Sequence, residues 1–196
     1  MCQCYLEKYD RTGVSVVVYS GTNPSAIRSQ KWLSESLLQL MEEKPYPKIS
    51  VKEITERSNL ARQTFYKVFD SKDEIIEFHL DQLFKDYLNE IENLQIVSIS
   101  ELSRLYFVFF DQNEAFISHL IQNDLASILN KKFFYYLGEI KSVLKQEQNF
   151  ILDNYTSAFI SSGLVGILIY WFKQKKNLTI DEIALLVSKL LNEYYL

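Results

Sequence analysis

Arg62, Gln63, Thr64, Tyr66 and Lys67 lie within six residues of one another. Together they offer a guanidinium, an amide, two hydroxyls and an ammonium. This is the chemistry of hydrogen bonding and positive charge, suited to recognition. Phe65, Val68 and Phe69 are interleaved with them at i, i+3 and i+4, the spacing of one buried stripe on a helix. The spacing predicts a short helix from Arg62 to Phe69 that buries the three apolar residues and turns the polar five away from the core.

The neighbouring residues supply what would hold that helix. Ser50 is a good N-cap for a preceding helix over Lys52 to Arg57, with Val51, Ile54 and Leu60 on its inward side. Ser58, Asn59 and Leu60 form the turn, and Asn tolerates the left-handed backbone better than any residue except Gly. Ser71 caps a third helix, with Glu74 three residues on completing a capping box. Two helices joined by a tight turn, the second with a free face of Arg, Gln, Thr, Tyr and Lys, have the form of a helix-turn-helix reader of DNA. The blander alternative is an ordinary pair of short helices with a solvated polar face.

The run T-F-Y-K-V-F-D-S-K-D-E-I-I, preceded by I-S-V-K-E-I-T-E-R-S-N-L, closely resembles the DNA-binding domain of the TetR family of bacterial transcriptional regulators. The resemblance covers about residues 26–83. Phe65-Tyr66, Phe69 and Ser71-Lys72-Asp73-Glu74 all fall in its register. It implies that the second short helix enters the major groove. Arg62, Gln63 and Lys67 are then the candidates for base edges: Arg for guanine, Gln for adenine, Lys for guanine or phosphate. Thr64 and Tyr66 look like hydroxyls that hold phosphate oxygens, Lys72 looks like the family's phosphate lysine, and Ser50 and Lys52 lie where the family grips the flanking backbone. The sequence departs from the pattern twice. Asn59 stands where Gly is usual. Ala61 stands where Ser or Thr usually caps the reading helix, a loss of about 1 kcal/mol of local stability.

The length of 196 residues gives one or two modest domains, and 47% apolar and 14% aromatic content marks a folded chain. Five Gly and three Pro are too few for a loop-rich β fold. The expected class is therefore all-α: a three-helix helix-turn-helix domain over 23–80, then a helical regulatory and dimerisation domain over 81–196. The net charge of −4 is unevenly spread. Residues 23–80 hold nine Lys/Arg against nine Asp/Glu, and 81–196 hold ten against fourteen. A neutral reader beside an acidic domain implies modest nonspecific affinity and reliance on a matched site read by two subunits. Cys2 and Cys4 have no His or further Cys nearby, so no metal site is expected, and the absence of other cysteines fits a reducing cytoplasm.

Residues 1–22 read as a poorly ordered extension; its V-S-V-V-V-Y run is a lone β-prone stretch too short for a signal peptide. Asn23-Pro24 starts a helix to about Glu43, with Ile27, Trp32, Leu33, Leu37, Leu40 and Met41 near one face, ended by Pro45 and Pro47. A helix from Ser71 to about Leu94 has no flexible linker, so its motion would be transmitted as a lever. Helices follow from Ser100, Asn113 and Leu125, the last reaching about Gln146. Their aromatic residues are either simple core or the lining of a pocket between helices, with Tyr87, Tyr106, Phe109, Phe116, His119, Phe134, Tyr135 and Tyr136 as candidates. The resemblance favours the pocket, since such regulators usually hold a small effector there.

A helix capped by Asp153 or Asn154 contains F-I-S-S-G-L-V-G-I-L-I-Y-W-F, short of a membrane span and apolar enough to be buried on all sides. Ser161, Ser162, Gly163 and Gly166 give it small surfaces for close helix approach. Part of this run also looks like the C-terminal half of dihydroxyacetone-kinase operon regulators. Thr179 caps the last helix through Glu182. Two such helices suggest a homodimer through a four-helix bundle, with Phe159, Leu164, Ile167, Trp171, Ile183, Val187, Leu190 and Leu191 at its interface. No phosphate loop, metal cluster or nucleophile elbow is evident, and His79 and His119 have no partner visible in sequence. The expectation is thus no catalytic residue, no cofactor and no membrane. The chain reads as a cytoplasmic, ligand-responsive regulator, most simply a repressor, whose dimer binds a palindromic operator in double-stranded DNA. The competing reading is a helical interaction protein acting through a protein partner, with a weakened reader.

Overall fold

The computed structural model describes residues 23–94, 98–143 and 154–195. Among these there are nine α-helices, one 3-10 turn and no strand. The chain divides between Leu80 and Asp81 into two compact units. The expectation for residues 1–22, and those for the ends of helices between 144 and 153, lie outside the described residues.

In the first unit α1 spans Pro24–Glu43, with Asn23 as N-cap accepting from Ser25 N at 2.9 Å. Leu33, Leu37, Leu40 and Met41 face inward as their spacing predicts. Ile27 and Trp32 do not, being half exposed, and the small Ser29, Ser34 and Ser36 are buried instead. The inward stripe is thus set by which face meets α2 (Val51–Arg57) and α3 (Arg62–Phe65). A 3-10 turn over Tyr46–Lys48 separates α1 from α2. Arg57 of α2 reaches back to Glu43, its Nη2 donating to Oε2 at 2.9 Å.

α4 spans Lys72–Asn93 and crosses the boundary between the units. Its start differs from the expected capping box. Ser71 Oγ accepts from Glu74 N at 3.3 Å, but the Glu74 carboxylate takes the N–H of Asp70 at 2.8 Å, one residue earlier.

The second unit adds α5 (Ile99–Gln112), α6 (Glu114–Gln122), α7 (Ala126–Val143), α8 (Asn154–Lys173) and α9 (Ile180–Tyr195). The start of α5 corrects the sequence reading. Ser98 caps it, not Ser100, and forms a full capping box with Glu101: Glu101 N donates to Ser98 Oγ at 3.1 Å and Ser98 N to Glu101 Oε2 at 3.2 Å. The S-x-x-E spacing belongs to Ser98, and Ser100 merely falls within the first turn. α9 is capped by Thr179 and Glu182 as expected.

The core of this unit is an aromatic cluster. Phe84 stacks on Tyr136 at 4.8 Å and meets Phe110 and Phe133. Tyr106 packs on Phe110 at 4.8 Å and on Phe133 at 5.3 Å, and Tyr87 on Phe109 at 5.2 Å. Each fully buried ring of this size contributes about 1.5–3 kcal/mol, with up to about 1.5 kcal/mol more per favourable ring pair. Phe107 meets Trp171 edge-on at 5.6 Å, which joins α5 to α8.

α8 departs from expectation in two ways. It is 20 residues long with a mean hydropathy of 1.4 over its best window, long and apolar enough by length and composition to cross a membrane. It is also not buried all round: Tyr155, Phe159, Gly163, Gly166 and Tyr170 lie exposed along one face while Ile160, Val165, Leu168 and Trp171 face inward.

Candidate nucleic-acid interface and effector region

The reading helix starts without a side-chain cap, since Ala61 has none to offer. Its α-helical part ends at Phe65, shorter than the eight residues expected. Beyond it the chain tightens into 3-10-like turns, with Val68 N donating to Phe65 O at 2.9 Å and Lys67 N to Thr64 O at 3.3 Å. The tightening keeps Phe65, Val68 and Phe69 buried, at 0%, 5% and 2% exposure. Arg62, Gln63, Tyr66 and Lys67 are exposed and Thr64 is half-buried, so the two faces separate as the sequence predicts. Asn59 adopts φ 55°, the left-handed conformation that redirects the chain from α2 into α3. Arg62 Nη2 donates to Tyr66 Oη at 3.1 Å, with the guanidinium 5.6 Å from the ring centroid.

The flanking candidates are placed differently. Ser50 sits at the N-terminus of α2 with its hydroxyl in a capping box: Glu53 N donates to it at 3.3 Å, and it donates to Glu53 Oε2 at 2.8 Å. The Glu53 carboxyl is held down to about 2, first by its hydrogen bond with Lys44 and then by those with Ser50. Lys52 is exposed beside Glu56.

Lys72 is turned inward. Its Nζ donates to the carbonyls of Tyr46 at 2.7 Å and Ile49 at 3.0 Å and lies 4.1 Å from the Tyr46 ring centroid. Burial pushes its ammonium below the ordinary lysine range. Tyr46 in turn donates to Asp73, and burial followed by that bond raises the phenol well above its usual range. In this structure the lysine read as a phosphate ligand ties the start of α4 to the turn preceding α2. Nothing in the spacing of Lys72 reveals this contact, because Tyr46 lies 26 residues away.

Of the effector candidates, Tyr87, Tyr106, Phe109 and Tyr136 join the aromatic cluster, and Phe116 is buried on α6. Phe134 and His119 are half-buried, and Tyr135 is 45% exposed, so it does not line the interior. Phe84, Phe110 and Phe133, read from the sequence as helix apolar residues and not as pocket candidates, join the same cluster, and an ion pair went unread. Lys132 on α7, 3% exposed, donates to both oxygens of Asp81 on α4 at 2.8 and 2.9 Å. Tyr136 adds a third bond to Asp81 at 3.1 Å, and burial above all raises its phenol out of the usual range. One signal was available: Lys132 and Tyr136 are four apart on one helix. The hydroxyl of Tyr106 is buried with no partner among the described residues.

Of the interface candidates, Phe159 and Leu190 are exposed and Leu164, Ile167 and Leu191 half-buried. Trp171, Ile183 and Val187 are core residues of the single chain, at 3%, 2% and 1% exposure, and Trp171 Nε1 donates to Leu178 O at 2.8 Å. Among the described residues no group of three or more His, Cys, Asp or Glu side chains stands placed to hold a metal ion.

Comparison with known proteins agrees with this architecture. Residues 35–77 match the family model described as bacterial regulatory proteins, tetR family, and residues 97–193 match a transcriptional regulator C-terminal region of the same group. The HTH-type transcriptional regulator YxbF of Bacillus subtilis (strain 168) is 24% identical over 165 residues, which is 76% of this chain and 41% of YxbF. The HTH-type dhaKLM operon transcriptional activator DhaS of Lactococcus lactis subsp. lactis (strain IL1403) is 25% identical over 99 residues, 50% of this chain and 52% of DhaS. The chain thus spans about half the length of the curated relatives it matches. Among solved structures, a TetR transcriptional regulator from Streptococcus agalactiae 2603V superposes with a TM-score of 0.58 at 19% identity, covering 85% of this chain and 95% of that one. The dihydroxyacetone kinase operon activator DhaS superposes at 0.57 and 18% identity, covering 86% and 96%. These likenesses establish the fold, and the two family models name it. A helix-turn-helix unit followed by a helical C-terminal unit, matched along most of its length, makes this chain a member of the TetR family of bacterial transcriptional regulators.

Proposed function

We propose that the protein binds a palindromic operator in double-stranded DNA as a homodimer, and that a small molecule held in the C-terminal unit alters that binding. The observation that carries the DNA reading is the separation of faces on the reading helix. Phe65, Val68 and Phe69 anchor it, and Arg62, Gln63, Tyr66 and Lys67 are presented to solvent. Arg62, Gln63 and Lys67 address base edges, and Thr64, Ser50 and Lys52 the phosphates. The first unit carries no excess of positive charge, so affinity comes from two matched half-sites read together.

Support for the dimer comes from α8 and α9. Their exposed faces carry the large apolar side chains Tyr155, Phe159, Tyr170, Leu185, Leu186 and Leu190, which a second copy of the chain would cover. Gly163 and Gly166 lie on the same face of α8, and a Cβ at either meets nothing within 4 Å, which leaves room for a second helix to approach closely. This face also accounts for an apolar α8 without a membrane. Support for the effector is the aromatic interior of the second unit with polar tips at Tyr106 and Tyr136. Coupling between the two sites needs only about 1–3 kcal/mol. The protein acts in the cytoplasm, where the DNA is, without catalysis, and as a repressor, since occupying an operator requires no further contact.

The test is titration of the purified protein on DNA flanking its own gene at two salt concentrations, with the Arg62→Ala/Lys67→Ala double variant beside it. Tight, salt-sensitive binding lost in the variant is expected. A folded dimer that binds no fragment at low salt would refute DNA reading and favour a protein partner.

A further inference from the structure

We propose that Tyr66 is a positioning residue for Arg62, and that the pair sets a preference for guanine at one position of each half-site. This rests on the DNA-reading function proposed above. It differs from the role the family resemblance gives Tyr66, that of a phosphate ligand.

A solvent-exposed arginine samples many rotamers, and that freedom must be surrendered when its fork meets a base. In this chain much of it is already surrendered. Arg62 and Tyr66 lie four apart on the exposed face of the reading helix, the spacing that brings side chains together. Arg62 Nη2 donates to Tyr66 Oη at 3.1 Å, and the guanidinium carbon stands 5.6 Å from the ring centroid, within range of a cation–π attraction. The tyrosine is itself held. Its ring meets Phe65 at 5.2 Å with an interplanar angle of 80°, and Phe65 is fully buried. The chain of support therefore runs from the core through Phe65 and Tyr66 to the guanidinium.

One N–H of the five is used by Tyr66, and the rest of the fork is left for an acceptor beyond the helix surface. A planar pair of parallel donors matches the O6 and N7 acceptors of guanine in the major groove, the geometry that discriminates most strongly among base pairs. Lys67 and Gln63, on the same face, lack that rigid planar fork. The Tyr66 O–H can still donate to a phosphate while its oxygen accepts from Arg62, so the decisive quantity is base preference and not affinity.

The experiment is in vitro selection from a random duplex library, with the full chain and with Arg62→Ala and Tyr66→Phe. All changed atoms are exposed, and circular dichroism checks that each variant is folded. The wild type is expected to select guanine at one half-site position by about 5–150-fold over other bases. Arg62→Ala should erase that preference and so identify the position. Tyr66→Phe should weaken the preference there by about 2–10-fold, the worth of one hydrogen bond, with the other positions unchanged. Uniform weakening with every base preference intact would overturn the proposal and return Tyr66 to the phosphate backbone, as would an Arg62→Ala variant with unaltered preferences. Recovery of no duplex by the wild type would instead refute DNA reading itself, a result distinct from either.

Discussion

Lys72→Met separates two roles that the sequence leaves equivalent. If Lys72 is the strut seen in the structure, the variant loses two charge-assisted hydrogen bonds, to Tyr46 O at 2.7 Å and Ile49 O at 3.0 Å, and a cation–π contact at 4.1 Å. Bonds of this kind contribute about 1.5–3 kcal/mol each, so the gross loss is about 3–6 kcal/mol. Three effects reduce it. The lysine stem is kept by methionine, removal of a partly buried ammonium recovers its desolvation, and Tyr46 O still accepts from Ile49 N at 3.0 Å. A net loss of about 2 kcal/mol remains. For a chain of this length that lowers Tm by about 4–8 °C, read by circular dichroism on the intact protein. The second readout is the slope of log affinity against log salt on a bound duplex. It should be unchanged, because the ammonium was never on a phosphate. Lys52→Ala, the lysine assigned to a phosphate, should by contrast reduce the slope by about 1. Unaltered Tm with a slope reduced by about 1 in Lys72→Met would refute the strut and restore the phosphate role.

Other outcomes follow from the same physical terms. Lys132→Met leaves the largely buried Asp81 carboxylate without its cation, with the Tyr136 hydroxyl still donating to it, so it should cost about 3 kcal/mol, whereas a Lys132→Met/Asp81→Leu double variant should recover most of that in urea unfolding. The Glu53 carboxyl is lowered from an ordinary value near 4.5 to about 2, so its stabilising contribution is complete above pH 4.5 and disappears as pH falls towards 2. The stability difference between wild type and Glu53→Gln should therefore be constant near neutrality and close between pH 4.5 and 2; a constant difference down to pH 2 would contradict the hydrogen bond with Lys44 first and those with Ser50 second. Phe159→Asp with Leu190→Asp, exposed on α8 and α9 respectively, should shift the protein from dimer to monomer in sedimentation while leaving the helical spectrum intact. A variant that stays dimeric would place the interface elsewhere.

The local grammar of this chain was legible without coordinates. Asn23, Ser50 and Thr179 cap helices where their spacing to Ser25, Glu53 and Glu182 predicts, because a cap is a contact between residues two or three apart. The alternation of Phe65, Val68 and Phe69 with Arg62, Gln63, Tyr66 and Lys67 fixed which face of the reading helix is buried, because one turn of helix repeats within that window. Asn59 marked the turn by its tolerance of φ 55°. What tertiary structure decided are contacts between residues far apart in the chain. Lys72 became a strut because Tyr46 and Ile49 lie beneath it, and Lys132 was neutralised by Asp81, 51 residues away. Trp171, Ile183 and Val187 turned into the core of the chain itself because α8 and α9 each carry apolar residues on two sides. A periodic pattern says that a face is apolar, but only the arrangement of the other helices determines which of two apolar faces is covered first. The sequence by itself determined which segments are helices, where most of them begin and what the reading helix presents. Packing decided which charged and apolar groups remain available to a partner, since availability depends on all neighbours at once and no short window of sequence contains them.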